Sequence, residues 1–455
     1  MCGIAGILGF GERGIDLVKS ANRMAAALSH RGPDAQAVFR PSSAPAIFAH
    51  TRLSIIDPEP RSNQPFTRSD RFTIVFNGEI YNYRELREEL LASGEKFETH
   101  SDTEVLVALY QRHGVRMLDQ IRGMYALAIW DNTKGTCLIA RDPFGIKPLF
   151  YVQTSEGLVF ASETEALFVS SLCDRKLSAK GVATFLRWGS CQPNASIIEG
   201  VQTLLPGQAF TWFDSDKSIK YEALQTPRWS KESNEKSSSI IEFRNAWLES
   251  IDRHLVSDVP ISLFLSAGID SAVILAGAHI LKKDLRPLTL GTPGAPLDET
   301  SNARELAEHF NFDHQSFPFP AEQLLEDLFE QFLEAQDLPG IDGFNTFCIS
   351  HYTKQLGFKV ALSGIGGDEW FGGYPGFRRA PKLMKLHNCL SSIPFKHVLN
   401  RFALDHTSNS KIQRTLEFLE NLGSFGEGDA TTRSLFSCKR IMILLQRLGF
   451  FKAEA

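Results

Sequence analysis

Val259-Pro-Ile-Ser-Leu-Phe-Leu265 runs without a break into Ser266-Ala-Gly-Ile-Asp-Ser271, and an apolar stretch then continues to Leu281. An apolar run of strand length, a small-residue loop and a longer apolar run predict a strand from Val259 to Leu265 and a helix from Ser271 to Leu281. Such a loop, at the carboxyl end of a buried strand, turns backbone N–H groups and the positive end of a helix toward an anion. It lacks Gly-Lys-[Ser/Thr], so it is not the loop that serves γ-phosphoryl transfer.

Downstream the same alternation continues. A strand is predicted from Pro287 to Leu290, a helix from Glu299 to Phe310 with apolar residues at 303, 306, 307 and 310, a helix from Ala321 to Ala335, and a strand from Phe358 to Leu362. Strands alternating with helices mean βαβ units and a parallel sheet. The stretch 378–455 reads as weakly helical and without obvious chemistry.

Upstream, residues 213–239 turn polar and end in Lys231-Glu-Ser-Asn-Glu-Lys-Ser-Ser-Ser239. This reads as a linker between a domain over 1–212 and a domain over 240–455. In the first domain the apolar runs are short, as in Ile74-Val-Phe76, Met124-Tyr-Ala-Leu-Ala-Ile-Trp130 and Leu158-Val-Phe-Ala161, and predict strands of an antiparallel or mixed sheet. Helices are expected from Tyr83 to Ser93 and, after a Ser101-x-x-Glu104 capping box, from Glu104 to Tyr110. The result is a layered α+β domain.

The 455 residues suffice for two or three domains at about 150 residues each. A hydrophobic fraction of 43%, a charged fraction of 22% and a net charge of −5 exclude a disordered chain and give no basic nucleic-acid surface. The seven cysteines are scattered and contain no C-x-x-C pair, so neither a disulfide framework nor a zinc site is expected. A reducing cytoplasm is the expected compartment. No signal peptide and no apolar run of about 18 residues is present, so no membrane partner is expected.

Cys2 follows the initiator Met. Removal of Met1 would leave a thiol and a free α-amine on one residue, and an amine titrating near 8 can activate that thiol. Around it, in chain order, stand Met1-Cys-Gly-Ile-Ala-Gly6, His30-Arg-Gly-Pro-Asp34, Arg52-Leu-Ser-Ile-Ile56, Asn77-Gly-Glu-Ile-Tyr81, Ser101-Asp-Thr-Glu104 and Ala140-Arg-Asp-Pro-Phe-Gly-Ile-Lys-Pro148. Read singly, Asn77-Gly78 suits a hairpin turn, Asp102 a helix N-terminus and Arg52 a surface charge. The runs from His30 and Arg141 read as structural turns.

Together, these motifs resemble the glutaminase domain of class II glutamine amidotransferases, and in particular that of glutamine-hydrolysing asparagine synthetases. The resemblance implies an N-terminal nucleophile αββα sandwich in which Cys2 attacks the side-chain amide of glutamine. Asn77 and the Gly78 N–H would form the oxyanion hole. Arg52, with Leu53, Ser54, Ile55 and Ile56, would hold the substrate carboxylate, and Asp102 with Glu79 its α-ammonium group.

Ser266 to Ser271 similarly resembles the pyrophosphate loop of ATP pyrophosphatases. Ser363-Gly-Ile-Gly-Gly-Asp-Glu369 and Phe371-Gly-Gly-Tyr374 resemble the matching loop of asparagine synthetases. The resemblance implies a Rossmann-like parallel α/β ATP-pyrophosphatase domain. Phe264, Ser266, Gly268, Asp270, Ser271, Leu290, Ser363 and Gly364 would bind ATP, and Asp270 and Asp368 would bind Mg²⁺. The implied reaction moves the glutamine amide nitrogen to a carboxylate, by default aspartate, with release of AMP and pyrophosphate. A sugar acid or peptide acceptor stays open, and so does a glutaminase or regulatory subunit with a degenerate second half.

Three departures bear on this. Ala267 replaces the family's second loop glycine, where a methyl group would crowd the phosphates or demand a compatible φ. Ile365 replaces a glutamate that assists adenylation, and a glutamate returned there is expected to be buried and costly. No Arg-x-Pro-Phe-Leu-Asp acceptor segment occurs between Tyr374 and Ala455. A shortened second domain is therefore expected, and a homodimer or a companion chain supplying the segment stays open.

Overall fold

The computed structural model describes residues 1–11, 16–42, 44–192, 195–222, 240–292, 294–296, 298–378, 381–382, 385, 435–436 and 438–450. In chain order the elements begin with β1 (Gly3–Leu8), α1 (Leu17–Ala27), β2 (Ala35–Phe39), β3 (Ala46–Arg52), β4 (Phe66–Arg68), β5 (Phe72–Ile80), α2 (Tyr83–Ala92) and α3 (Asp102–His113). Then come β6 (Gly123–Asp131), β7 (Thr136–Arg141), β8 (Phe150–Gln153), β9 (Leu158–Ala161), α4 (Thr164–Val169), α5 (Ala179–Trp188), β10 (Gln202–Thr203), β11 (Ala209–Phe213) and β12 (Ser218–Glu222). The remaining elements are α6 (Ile240–His254), β13 (Ile261–Phe264), α7 (Ile269–Ile280), β14 (Arg286–Gly291), α8 (Thr300–His309) and β15 (Gln315–Pro318), followed by α9 (Glu322–Ala335), α10 (Phe344–Gln355), β16 (Val360–Leu362), α11 (Gly367–Phe371) and α12 (Cys438–Arg447).

The chain divides into two compact units. One comprises Met1–Arg175, Gly200–Glu326 and Phe347–Leu362, and the other Lys176–Glu199, Asp327–Thr346 and Ser363–Ala455. In the first, two six-stranded antiparallel sheets, ordered β10-β8-β9-β1-β3-β2 and β12-β11-β7-β6-β5-β4, lie face to face. Alternation along β5 explains the stacking. Val75 enters the core between the sheets with Phe48, Trp130 and Trp212, while Ile74, Phe76 and Ile80 face Val105, Leu106 and Leu109 of α3. Helices α2 and α3 cover one sheet, and α1 and α4 the other. This is the αββα order expected.

The same unit holds a four-stranded parallel sheet ordered β15-β14-β13-β16. Leu263 on β13, Leu275 and Ala278 on α7 and Ala303 and Ala307 on α8 form its core. The parallel reading of the second half holds, and β15, a polar strand that the sequence did not suggest, completes the sheet edge. In the other unit, Val182 of α5 packs against Ile441 and Leu445 of α12.

Several local expectations change. The sheet of the first half runs on through β12, inside the segment read as linker; residues 223–239 lie outside the described residues. The capping box does not close. Ser101 Oγ accepts the Thr103 N–H at 3.1 Å, but the Glu104 carboxylate turns to Glu98 N, Thr99 N and the Thr99 hydroxyl at 2.8 to 3.1 Å. Most of the stretch 378–455 lies outside the described residues. Among those residues no helix is long and apolar enough to cross a membrane.

Candidate active site

Cys2 stands immediately before β1, partly buried. Its Sγ accepts the Leu53 N–H at 3.4 Å and lies 3.7 Å from Leu53 O. Burial pushes the thiol above the usual thiol range, although Arg52 and Lys147 pull it back. The Met1 amine, buried beside it, is lowered to about 6, chiefly by desolvation. Desolvation in this pocket thus favours the neutral form of an amine, which is the form that activates a thiol.

Asn77 and Gly78 form no hairpin turn; they sit within β5 at its pairing with β6. Asn77 shares the face of Val75, toward the β1 sheet, and is 1% exposed. Among the described residues its Nδ2 has no hydrogen-bond partner. Gly78 is required by close approach, because a Cβ there would lie 2.1 Å from the Met124 carbonyl oxygen. An unpaired buried donor is costly, at about 1–3 kcal/mol, and it is the form that a preorganised oxyanion site takes.

Glu79, two residues on and on the same face, has its carboxyl raised to about 7 by burial. Asp102, at the start of α3, accepts the Ile80 N–H at 3.1 Å and is raised to about 6 for the same reason. Two carboxyls whose burial outweighs the pull of Lys147 on one and of several hydrogen bonds on the other suit an incoming cation such as an α-ammonium group.

Arg52 differs from expectation. Its guanidinium is buried at the end of β3, and its two terminal nitrogens donate to Glu59 O, Asn63 Oδ1, Ile56 O and Asp57 O at 2.5 to 3.3 Å. In this state Arg52 braces the loop 53–63, and a substrate carboxylate would have to displace these acceptors. Leu53 and Ser54 are held from elsewhere: Leu53 by Cys2 Sγ, and Ser54 by Asp34 Oδ2, which accepts its N–H at 2.7 Å. Ile55 and Ile56 complete the loop.

Three residues read as structural join this pocket. Arg31 donates from Nε to the Cys2 carbonyl at 3.0 Å and pairs with Glu163 at 2.6 Å. Asp34 fixes Ser54. Lys147 is 6% exposed, and its ammonium, lowered by burial, lies within electrostatic reach of Glu79, Arg31 and Cys2. Phe144 and Ile146 beside it are 55% and 51% exposed, so the run gave no local signal of the lysine's burial.

In the second half, Ser266, Ala267 and Gly268 follow β13, and Asp270 and Ser271 open α7. The loop's polar groups bond to one another. Ser271 Oγ lies 2.9 Å from Ser266 Oγ and accepts the Ser266 N–H at 3.1 Å, and Gly268 N donates to Ser266 Oγ at 3.2 Å. The Ala267 N–H donates to Glu299 at 3.2 Å. Ala267 stays out of the left-handed region, so the feared φ penalty does not arise. Phe264 ends β13, and Leu290 lies on β14, paired with Phe317.

Ser363 and Gly364 follow β16, and Asp368 lies on α11. A Cβ at Gly373 would lie 1.8 Å from Asp368 Oδ1, so glycine makes the cradle for that carboxylate. Ile365 is 79% exposed, so a glutamate there would be solvated rather than buried. The Asp270 carboxylate in one unit and the Asp368 carboxylate in the other have no hydrogen bond or ion pair among the described residues, and each is by itself an oxygen donor of the kind a hard cation takes. No cluster of three metal-ligating side chains occurs among the described residues.

Comparison with known proteins bears on both halves. Residues 1–222 match the glutamine amidotransferase domain family, and residues 242–434 match the asparagine synthase family. Asparagine synthetase [glutamine-hydrolyzing] 3 of Bacillus subtilis (strain 168) is 31% identical over 406 residues, covering 84% of this chain and 64% of that protein. Asparagine synthetase B [glutamine-hydrolyzing] of Escherichia coli (strain K12) is 32% identical over 408 residues, covering 85% of this chain and 67% of that protein. The chain thus spans about two thirds of the length of these relatives. With both domain families matched in order, and with 31–32% identity over most of this chain, the chain belongs to the asparagine synthetase family.

Proposed function

We propose that the chain releases ammonia from glutamine at Cys2 and delivers it to a carboxylate activated with ATP in the second half, with aspartate as the default acceptor. The observation that carries the reading is Asn77, a fully buried amide whose Nδ2 meets no acceptor, on the strand that faces the sheet led by Cys2.

In the first half, Met1 removal exposes the Cys2 amine, which takes the thiol proton. The Sγ then bonds to the amide carbon of glutamine, and the carbonyl π electrons move to oxygen, where Asn77 Nδ2 and the Gly78 N–H donate to the oxyanion. When that tetrahedral adduct collapses, the C–N bond breaks and the ammonium form of the amine returns its proton, so ammonia leaves and a thioester remains. Water hydrolyses the thioester to glutamate and restores the thiol. Asp102 and Glu79 take the substrate's α-ammonium group, and Arg52 with residues 53–56 takes its carboxylate.

In the second half, Ser266, Gly268, Asp270 and Ser271 take the phosphates of ATP, and Phe264 and Leu290 its nucleoside end; Ser363 and Gly364, in the other compact unit, are assigned to the nucleoside end by the family resemblance alone. Asp270 and Asp368 are the candidates to hold Mg²⁺, which when bound neutralises charge on the phosphate oxygens. With no lysine of the γ-transfer kind in the loop, the carboxylate attacks the α-phosphorus and pyrophosphate leaves. We assign the first activity to residues 1–222 and the second to the chain from residue 240 onward.

Isotopic exchange of pyrophosphate into ATP, run with candidate acceptors, tests the second half. Acceptor-dependent exchange is expected. ADP and orthophosphate as the only products would overturn the adenylation reading.

A further inference from the structure

The loop 53–57 is gripped on two sides. Toward the first half it meets Cys2 Sγ through Leu53 and the Arg52 guanidinium through Ile56 and Asp57. On the other side its partners come from the parallel sheet. Asp258, three residues before β13, donates its N–H to Ile55 O at 3.1 Å and accepts the Asp57 N–H on Oδ2 at 2.8 Å. Lys359, the residue before β16, donates from Nζ to Asp34 Oδ2 at 2.7 Å, and that same oxygen accepts the Ser54 N–H. Nearby, the His254 ring at the end of α6 packs at a tilt of 41° against Tyr81, with centroids 4.2 Å apart.

Two links of one loop, at Ile55 and Asp57, therefore depend directly on a residue more than 200 positions away, and a third, at Ser54, depends on a carboxylate that Lys359 grips from 325 positions away. Asp258 brackets the loop with two bonds, one donated by its backbone N–H to Ile55 O and one, charge-assisted, accepted by its carboxylate from the Asp57 N–H. Lys359 acts at one remove, by holding the carboxylate that holds Ser54. Both residues start strands whose opposite ends open into the loops at Ser266 and Ser363.

We propose that Asp258 and Lys359 are positioning residues of the glutamine site, so that the synthetase half of the chain builds part of the pocket that binds the substrate's carboxylate. The inference rests on the reading of residues 52–56 as glutamine-binding. Among the described residues Cys2, just before β1, and Asn77 and Gly78 on β5 make no bond to Asp258 or Lys359, and Cys2 meets the loop at Leu53, so the larger effect falls on glutamine binding.

The experiment is glutamine hydrolysis by the full chain without ATP, with kcat and KM measured separately and a melting temperature taken for each variant. Asp258→Ala should raise KM about fivefold with kcat nearly constant, and Asp258→Asn, which keeps an acceptor for Asp57 N–H, should restore most of it. Lys359→Met should raise KM about threefold, and Lys359→Arg should restore it. The smaller effect follows because the Lys359 and Asp34 side chains are 36% and 26% exposed and their attraction is screened. KM values unchanged from wild type would overturn the inference, whether or not the melting temperature falls. An equal loss of kcat that the conservative variants fail to restore would overturn it too. Absence of glutamine hydrolysis in the unmodified chain would instead defeat the function proposed for Cys2.

Discussion

Asn77 is 1% exposed and its amide nitrogen meets no acceptor, whereas Ser266, Ala267 and Gly268 are open to solvent and their polar groups are satisfied by Ser271, Ser266 and Glu299. The first region carries its desolvation cost permanently, locked between two sheets. The second keeps its donors occupied and must exchange those bonds for a ligand's. The oxyanion donor is in place before substrate arrives, whereas the phosphate loop, like the Arg52 guanidinium, must exchange internal bonds for a ligand's. The raised carboxyls of Glu79 and Asp102 belong to the same contrast, since Asp270 and Asp368 stand free for a cation instead.

The sharpest way to separate the two regions is Asp270→Asn. Loss of one carboxylate from a metal–phosphate site costs several kcal/mol of transition-state stabilisation, so pyrophosphate formation should fall on the order of 10³-fold. Glutamine hydrolysis by the same protein should not change. A parallel loss of both activities would break the comparison.

Asn77→Ala probes the other region. Glutamine hydrolysis should fall by about 10²–10³-fold in kcat. Stability should hold or rise, because the lost donor was an unpaired one whose burial costs about 1–3 kcal/mol. A fall in both would mean that Asn77 is structural. Gly78→Ala, in contrast, forces a methyl group against the Met124 carbonyl and should destabilise by about 1–3 kcal/mol, read as a lower denaturant midpoint.

The smallest expected effect is on pH. Asp102 and Glu79 hold protons in the folded chain, up to about 6 and about 7, that the unfolded chain releases near 4. Their contribution therefore lowers stability as pH rises from about 4 to about 7. The ammonium group of glutamine relieves this, so the melting-temperature gain on adding glutamine should be larger at pH 8 than at pH 5. Asp102→Asn should flatten the difference; a gain that shrinks with pH would contradict the assignment.

What the sequence revealed followed its local patterns. Period-2 runs such as Ile74 to Phe76, the strand–loop–helix at Ser266 and the position of Cys2 all carry their meaning within a few residues. Arg31, Asp34, Lys147 and Lys359 do not, because their roles arise from pairing across the fold; Lys359 meets Asp34 from 325 positions away, which leaves no periodic trace. The capping box at Ser101 misled for a related reason. Its Glu104 had the required spacing, but the backbone N–H groups of Glu98 and Thr99 offered more donors than the helix end did. The exposure of Ile365 and the ordinary backbone of Ala267 are likewise tertiary facts.

The most direct test of the account is glutamate release from glutamine by the purified chain, compared with Cys2→Ala, without ATP. The account predicts robust release by the unmodified protein after Met1 removal. It predicts loss on the order of 10⁶-fold in Cys2→Ala, since deleting a nucleophile removes the covalent route entirely. Glutamine hydrolysis retained by Cys2→Ala would contradict it.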